Sequence, residues 1–548
     1  MEGAREELGS RLPFRSLLPA GGHSENVPWS TYALGVLLFL ATYWLLQFLW
    51  DLHSVRSRNL PPGPWCLPFV GNAAFLLLPG RLISLLWPAL KGGRGAERLL
   101  TSWRAIGSAH LFSALVADVY GNVFSLFGGR YLVVFLNDFD TVKDALVNYA
   151  EAFSDRPNVP QIALTCERKG IVFAPYGPVW KQQRRFSHST LRHFGLGKLS
   201  LEVKINEEFK YVKIEMLKEG LVNPFPIISN AVSNIICSIC FGKRFDYENK
   251  EFKTLLCLLS RGLELFLNGQ ILLLNLWPWL YYLPFGKFKE HRQIVNDLKA
   301  FLLRIITEHR ETLDAENPRD FIDMYLLHME KEKNTNSESS FNEDYLLFII
   351  GDLFVAGTDT TTNTILWSLL YMSLYPDVQE KVQAEIDAVI GRQRPPSLTD
   401  KALMPFTEAT IMEIQRINSV VPFSIPHMSS ETTVFQGYTI PKGSIIIANL
   451  WSVHRDPKIW EKPDDFIPNR FLDASGQVLK KEAFIPFGIG RRVCLGEKLA
   501  KMEVFLMFVN LLQTFTFRLS DETNKPSLEG MFGLTLAPFP FSVAISSR

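Results

Sequence analysis

Residues 484–496 read F-I-P-F-G-I-G-R-R-V-C-L-G, and the rest of the chain is organised around this stretch. Three of its glycines surround Cys494, and an apolar, helix-like run over residues 497–517 follows. Glycine lets a backbone approach a flat ligand closely and adopt dihedral angles that other residues resist. A cysteine just before a helix lies where backbone N–H groups favour its thiolate form. The simpler alternative is a buried structural cysteine in a glycine-rich turn.

The spacing Phe-x-x-Gly-x-Arg-x-Cys-x-Gly begins at Phe487 and is long and specific. It resembles the haem-binding loop of the cytochrome P450 superfamily, in which the cysteine is the proximal iron ligand. A thiolate ligand pushes electron density onto the iron and favours O–O cleavage. An arginine at position 492 can bind a haem propionate through two N–H groups. The resemblance implies haem b ligated by Cys494, with Phe487, Gly488 and Arg492 as further binding residues.

The composition excludes some classes of protein. In the 548 residues, 57 lysines and arginines balance 56 aspartates and glutamates, which indicates no nucleic acid or other polyanionic partner. Six scattered cysteines show no disulfide-scaffold spacing. Cys237 and Cys240 form a CxxC inside the apolar run 231–240, so core packing is favoured over zinc or redox chemistry. Reduced thiols fit a catalytic body that faces the cytosol.

The N-terminal part of the chain has a membrane-anchor pattern. Residues 1–28 are polar and are predicted to be disordered. Residues 29–50 carry no charged side chain and suffice for a helix across a bilayer core of roughly 30 Å. A cleaved signal peptide is the alternative, but no small-residue cleavage site follows. We predict an uncleaved transmembrane anchor, then a stiff proline-rich hinge over residues 51–64.

Residues 65–548 are predicted to form one mainly helical domain with small β-sheets, as in the cytochrome P450 fold. Residues 73–105 are predicted to be an insertion on the membrane surface, since prolines, glycines and charges interrupt their apolar run. Two strand-like runs around residues 128–130 predict a β-hairpin. Residues 340–343, S-F-N-E, match a capping box and predict a long apolar helix to about residue 371.

Periodicity and composition predict the remaining elements. They are helices over 138–147, 179–192, 201–218, 226–241, 252–267 and 291–313, a polar loop over 331–340, and strands near 433–435, 444–448 and 541–545.

The long helix contains A-G-T-D-T-T from residue 356. Polar side chains in an apolar helix cost stability unless they are paired or hydrated. Gly357 lowers helix propensity by about 1 kcal/mol and permits a local bulge. A threonine-rich solvated face is the alternative. The segment resembles the oxygen-binding helix of cytochrome P450 enzymes, which implies that Thr360 hydrogen-bonds to dioxygen or its water and that Asp359 supplies protons as a general acid.

A charge network is predicted from two separate motifs. Glu413 and Arg416 share one helix face, which by itself is most simply a surface ion pair. Together with Arg470 in F-I-P-N-R-F, they resemble the ExxR helix and the meander arginine of the superfamily. The resemblance implies a buried network that serves the fold and haem incorporation, where loss of one member costs about 3–5 kcal/mol.

Further haem contacts are implied by the same resemblance. Trp180 and Arg184 match a W-x-x-x-R helix whose side chains hold haem propionates, and the alternative is an amphipathic basic helix. Arg156 and His427 match propionate-contacting positions of family-2 members. A basic surface is also predicted, and it would dock an acidic electron donor unless it is merely a solvated face. It comprises Lys181, Arg185, Arg192, Arg491 and Lys498.

Substrate contacts are predicted on several apolar segments, each of which could instead be plain core. They include a loop over residues 160–172. The individual substrate-facing candidates are Phe354, Ala356, Val421, Ile425 and Leu534.

The sequences of residues 186–202 and 230–242 most closely resemble subfamily U of family 2. That resemblance implies hydroxylation of long-chain, polyunsaturated fatty acids at the omega and omega-1 carbons, with O2 and NADPH as co-substrates. The chain has no evident nicotinamide or flavin fingerprint, so electrons come from another protein. The resemblance names NADPH–cytochrome P450 reductase, with cytochrome b5 as a second donor.

The resemblance also implies a location. The anchor would hold the protein in the endoplasmic reticulum membrane with the catalytic domain on the cytosolic face, and the mitochondrial inner membrane is an alternative. Three other functions stay open: a broad xenobiotic or steroid mono-oxygenase of family 2, a membrane haem protein that senses gas or carries electrons without oxygenating a substrate, and a peroxide isomerase. The proton-relay pair Asp359 and Thr360 argues against the last two, which need no proton relay.

Overall fold

The computed structural model describes residues 31–32, 34–39, 42–43, 45–46, 59–64, 109–194, 199–218, 220–335, 339–521 and 525–548. Its contacts divide the chain into two units, Met1–Ser57 and Arg58–Arg548. The predicted disordered segment 1–28 and the predicted insertion 73–105 lie outside the described residues.

The predicted anchor over residues 29–50 is described only in part. Its described residues are helical, and their large apolar side chains are exposed, for example Phe39 at 70%. In the described ranges, no single helix is both long and apolar enough to cross a membrane. Two consecutive helical segments with a bend between them, Lys250–Phe266 and Gly269–Asn275, are together long and apolar enough by length and composition only.

The second unit is mainly helical. Its α-helices are α1 Ala109–Tyr120, α2 Phe139–Lys143, α3 Ala150–Phe153, α4 Pro160–Cys166, α5 Pro178–His193, α6 Leu199–Met216, α7 Pro224–Cys240, α8 Lys250–Phe266, α9 Gly269–Leu272, α10 Gly286–Glu311, α11 Phe321–Thr335, α12 Glu343–Leu374, α13 Pro376–Val389, α14 Pro405–Ile417, α15 Leu450–Val453 and α16 Glu497–Thr514. A π-helical turn, Asp144–Asn148, continues α2, and short 3-10 turns include Pro278–Tyr282, Pro468–Phe471 and Gly490–Arg492.

The strands form small sheets at the edges of the helical body. They are β1 Val123–Gly128, β2 Tyr131–Leu136, β3 Leu221–Val222, β4 His427–Met428, β5 Thr433–Phe435, β6 Tyr438–Ile440, β7 Ile445–Ala448, β8 Phe515–Leu519, β9 Met531–Phe532, β10 Leu536–Ala537 and β11 Val543–Ser547. The largest sheet has the order β1-β2-β7-β4, with β2 and β7 parallel. A second has the order β3-β11-β8, and β5-β6 and β9-β10 are two-stranded.

The predicted hairpin is confirmed by the antiparallel pairing of β1 with β2. The end of the proline-rich hinge is fixed to it, because Ser125 donates from its backbone N to the Pro62 carbonyl and from its hydroxyl to the Pro61 carbonyl, both at 2.8 Å. The predicted helices from residue 138 onward all exist, with shifted ends. Cys237 and Cys240 are buried free thiols in the core, as predicted, and burial raises the pKa of both.

Several boundary predictions were wrong for local reasons. The capping box fails because Asn342, not Ser340, caps α12 by accepting from the Tyr345 N–H. The predicted loop 331–340 begins later, since α11 continues to Thr335. The predicted helix 497–517 ends at Thr514, where β8 pairs with β11. Part of the predicted loop 160–172 is helix α4, which starts at a proline in its first turn.

The central helix α12 is buried along much of its length and packs against α7. It runs unbroken through Gly357, so the predicted bulge is absent. The glycine has another role, because a Cβ there would lie 2.6 Å from Cδ1 of Ile236 on α7. Gly357 therefore permits the close approach of the two helices.

The predicted charge network is confirmed as a fully buried cluster. Arg416 donates to both carboxylate oxygens of Glu413 at 2.8 Å, and neither side chain is exposed. Arg470 donates from Nε to Glu413 Oε1 at 2.9 Å. Arg416 also donates to the carbonyls of His454 and Pro463, at 2.7 and 2.8 Å. One carboxylate thus pairs with two guanidiniums and ties α14 to the segment that precedes the cysteine loop.

We predict that Glu413→Gln lowers the free energy of unfolding by about 3–5 kcal/mol, because two buried guanidiniums lose their only carboxylate partner in the cluster. Urea unfolding followed by tryptophan fluorescence measures the change. Glu380→Gln, the same substitution at an exposed glutamate on α13, is the control and should change little. Equal stabilities of the two variants would contradict the role given to Glu413.

Candidate active site

The cysteine loop has the geometry that its glycines predict at two positions. Gly488 and Gly490 have positive φ, +72° and +79°, and a Cβ at Gly490 would lie 2.1 Å from the Leu146 carbonyl oxygen. The Cys494 N–H donates to the Phe487 carbonyl at 3.0 Å, which closes the loop. Gly496 has an ordinary negative φ of −90° and precedes α16.

Several groups act on the pKa of the Cys494 thiol, whose residue is exposed. Desolvation by the surrounding atoms raises this pKa, whereas the Gly496 N–H and the charge of Arg184 lower it. The predicted effect of backbone N–H groups before the helix is therefore present and is opposed by desolvation. A metal cation bound to the sulfur would favour the thiolate, because coordination deprotonates a thiol.

Three guanidiniums gather beside this loop, on Arg156, Arg184 and Arg492. Burial lowers the pKa of all three, and it lowers that of Arg492 to about 9. The charge of Arg184 lowers the pKa of both other arginines further. Within the part of the chain that the structure describes, none of the three forms an ion pair. Buried positive charge accumulates here without carboxylate partners at contact distance.

The carbonyls of residues 171–174 hold two of these arginines in place, and the Val493 carbonyl accepts from the third, Arg184. Arg492 donates to the carbonyls of Ile171 and Ala174 at 3.0 and 2.7 Å, and Arg156 donates to that of Val172 at 2.8 Å. The Ile171 carbonyl also accepts from Trp180 Nε1 at 3.0 Å. The predicted haem-contacting residues Trp180, Arg156 and Arg492 are thus brought together around one short segment.

That segment is fixed in turn by Asp352 on α12. Its Oδ2 accepts from the N–H groups of Ile171 and Val172, at 2.7 and 2.9 Å. Burial raises the pKa of this carboxyl to about 6, while the two N–H groups and the charge of Arg156 oppose the rise. A Cβ at Gly170 would lie 2.4 Å from the same oxygen, so the glycine is required for the contact.

His427 completes this group of residues. Its Nδ1 donates to the Phe153 carbonyl at 2.7 Å, since a carbonyl can only accept. Burial and the charges of Arg156 and Arg492 lower its pKa well below the ordinary value. Arg156 Nη1 donates to the carbonyls of Ile425 and Pro426, at 2.8 and 2.9 Å, which ties the histidine segment to the arginines.

These residues fit a haem. A ligand with two carboxylates would supply the negative charge that the three buried guanidiniums lack, and an iron ion would favour the thiolate of Cys494. Arg156, Arg184, Arg492, Trp180 and His427 would hold the propionates.

The predicted catalytic pair lies farther along α12. Thr360 Oγ1 donates to the Ala356 carbonyl at 2.7 Å, within its own helix. Asp359 is part-buried, and Thr535 donates to its Oδ2 at 2.6 Å. Burial raises the pKa of Asp359, and hydrogen bonds from Thr535 and Asn363 oppose the rise. A carboxyl with a raised pKa is suited to carry a proton near neutral pH.

The substrate-facing candidates divide into two groups. Ala356 is exposed although α12 is largely buried, and Val421, Ile425 and Leu534 are part-exposed. Phe354 is 2% exposed and packs against Phe241 with ring centroids 5.9 Å apart, so it lies in the core. The Leu536 N–H donates to the Val420 carbonyl at 2.8 Å, so the segments near residues 421 and 534 adjoin.

Sequence reasoning missed Asp352, Asn363 and the contact that Thr535 makes. A usable signal existed for the first two. Asp352 and Asn363 lie seven residues before and four residues after Asp359, spacings that place polar groups on one side of a helix. Thr535 comes from a distant hairpin, and nothing in its local sequence indicates its partner.

Comparisons with known proteins agree with this geometry. The family model described as Cytochrome P450 matches residues 101–545. The chain is 61% identical to cytochrome P450 2U1 of Homo sapiens, over 97% of this chain and 99% of that protein. It is 60% identical to cytochrome P450 2U1 of Rattus norvegicus, with the same coverage, and 41% identical to cytochrome P450 2J2 of Homo sapiens, over 95% of this chain and 98% of that protein.

We predict a pH-dependent difference between wild type and Asp352→Asn. The folded-state pKa of Asp352, about 6, lies above its usual value of 3.8. Protonation therefore favours the folded state as pH falls through 6, and the wild type should gain about 1 kcal/mol of unfolding free energy over Asp352→Asn between pH 7 and pH 5.

Urea unfolding at the two pH values measures this gain. Asp352→Leu is the companion variant, because it removes the acceptor of two N–H groups and should be less stable at both pH values. A wild type and an Asn variant with parallel pH dependence would contradict the burial given to this carboxyl.

Proposed function

The chain belongs to the cytochrome P450 family, within family 2, subfamily U, and on that premise we propose that it hydroxylates long-chain fatty acids at the omega and omega-1 carbons. Members of the family bind haem through a cysteine thiolate and use O2 with electrons that NADPH supplies through a reductase. The observation that carries the substrate proposal is apolar exposure next to Asp359 and Thr360: Ala356 is exposed on the same helix, and the part-exposed Leu534 precedes Thr535, which donates to Asp359.

The residues of this chain have distinct parts in the proposed reaction. The haem, when bound, supplies the activation of dioxygen. Cys494 would ligate its iron, and the three guanidiniums would bind its carboxylates. Asp359 binds and releases the protons that the reaction consumes, because burial raises its pKa and so favours the protonated form more than in an exposed aspartate.

Thr360 works beside Asp359 in the proposed relay. Its hydroxyl proton is directed to the Ala356 carbonyl, which leaves oxygen lone pairs to accept a hydrogen bond from water. To donate a hydrogen bond outward, the hydroxyl must rotate away from that carbonyl. An apolar surface around the pair excludes bulk water and presents a hydrocarbon chain to the reacting centre.

The electron donor is proposed to dock on the predicted basic surface. Lys181, Arg185, Arg192, Arg491 and Lys498 are all exposed. Desolvation lowers the pKa of His188, and the charges of Arg192, Arg184 and Lys498 lower it further, so α5 and the start of α16 share this surface. Arg491 is partly neutralised by Glu151, at 2.5 Å. A concentrated positive face steers the approach of an acidic reductase.

Location at the endoplasmic reticulum membrane remains part of the proposal, with the anchor over residues 29–50. A second feature supports contact with a bilayer. Four large aromatic side chains between α9 and α10 are 45–69% exposed, Trp277, Trp279, Tyr282 and Phe285. Tryptophan and tyrosine favour the membrane–water interface, and so large an exposed apolar group is unusual on a surface that meets only water.

We predict that the purified protein, incubated with NADPH–cytochrome P450 reductase, NADPH and a panel of fatty acids, gives products hydroxylated at the last two carbons. Mass spectrometry of positional isomers measures the outcome. An Ala356→Phe variant is informative, because a large side chain on the accessible surface should shift or abolish the products while leaving the haem bound.

Drug-like and steroid compounds belong in the same panel. Turnover of those compounds without any fatty-acid product would favour the broad mono-oxygenase. A haem that the reductase reduces, with no product from any compound, would favour the sensor or electron carrier. Either result contradicts the fatty-acid proposal.

A further inference from the structure

The β9–β10 hairpin is fastened to one side of α12 by three side chains spaced four residues apart. Asp359 accepts from Thr535 Oγ1 at 2.6 Å, and Asn363 Nδ2 donates to the same oxygen at 3.0 Å. Trp367 Nε1 donates to the Leu536 carbonyl at 2.8 Å. The hairpin thus places one hydroxyl between the carboxyl and the amide.

The donors and acceptors in this cluster fix the direction of each hydrogen bond. The amide nitrogen of Asn363 can only donate, so the Thr535 oxygen accepts from it. The single hydroxyl proton of Thr535 must then point to Oδ2 of Asp359. An oxygen that accepts so short a bond is the carbonyl-like or ionised oxygen of the carboxyl, which leaves Oδ1 to carry the acidic proton.

We propose that Thr535 and Asn363 are positioning residues for Asp359, which hold Oδ2 as an acceptor so that the proton is bound and released at Oδ1. The inference rests on the proposed role of Asp359 as proton donor. It also connects the β9–β10 hairpin to the position of the proton donor, because Leu534, a predicted substrate contact, is the neighbour of Thr535 in the chain.

The same contacts predict whether the pKa of Asp359 should rise or fall in the variants. Burial raises the pKa of Asp359, and the hydrogen bonds of Thr535 and Asn363 lower it. Among the described residues, no charged side chain contributes to this shift. Loss of the Thr535 hydroxyl should therefore raise the pKa further, by about one unit for one hydrogen bond to a charged group.

The experiment compares Thr535→Val, which keeps the shape and removes the hydroxyl, with Thr535→Ser, which keeps the hydroxyl. Haem-loaded enzyme with reductase is assayed for product, peroxide and NADPH consumed, across a pH series. We expect Thr535→Val to yield roughly tenfold less product per NADPH, with the balance as peroxide. Its pH midpoint should lie about one unit higher, and Thr535→Ser should match the wild type.

Identical pH midpoints and peroxide fractions in the Val and Ser variants would overturn the proposal. If Thr535→Val does not fold with haem, Asn363→Ala takes its place, since it frees the hydroxyl to turn away from Oδ2. Peroxide yield unchanged in Asn363→Ala would equally overturn the proposal. A wild type that forms no product from any compound counts against the proposed function, whereas a coupled wild type with unaffected variants counts against this inference alone.

Discussion

The burial of positive charge beside the cysteine loop is the constraint on which the rest of the site depends. Three guanidiniums lose hydration here and repel one another. They stay because backbone carbonyls accept their N–H groups: those of residues 171–174 and 425–426 accept from Arg156 and Arg492, and that of Val493 accepts from Arg184. Backbone dipoles satisfy the hydrogen bonds but leave the net charge, and a dianionic ligand would neutralise it. The buried positive charge of this site therefore favours a dianionic ligand.

The helix α12 connects this charged region to the proton-handling region. Asp352 near its middle holds the segment that carries the carbonyls, and Asp359, two turns later, meets the β9–β10 hairpin. Both carboxyls are buried enough to have raised pKa values, yet each accepts hydrogen bonds that keep it in place. Gly357 between them lets α7 pack closely, which stiffens the helix at the point where it carries both functions.

Much of the fold and the chemistry could be predicted from the sequence. The cysteine motif and the hairpin β1–β2 could be predicted from local spacing, and the charge network of Glu413 from a resemblance of two separate motifs to the family; the structure confirms the network and the hairpin. Contacts between distant segments could not be predicted in this way. Thr535 and Asp359 lie 176 residues apart, and only the folded chain brings them together.

Burial energies also escaped prediction. The position of Cys494 before a helix favours a thiolate, but desolvation outweighs that effect and raises the thiol pKa. Phe354 shows the same limit, because an apolar helix residue can face a cavity or the core with equal ease and packs here against Phe241. Such outcomes depend on which neighbours pack against a side chain, and one sequence does not contain them.

The most direct test of the account is the absorption spectrum of the reduced protein under carbon monoxide. Thiolate ligation by Cys494 predicts the strongly red-shifted Soret band of that ligation in the wild type. The band should persist in Cys257→Ser, a control at an exposed cysteine on α8, and be lost in Cys494→Ser. A haem-loaded wild type without the band, or a Cys494→Ser variant that keeps it, would contradict the account.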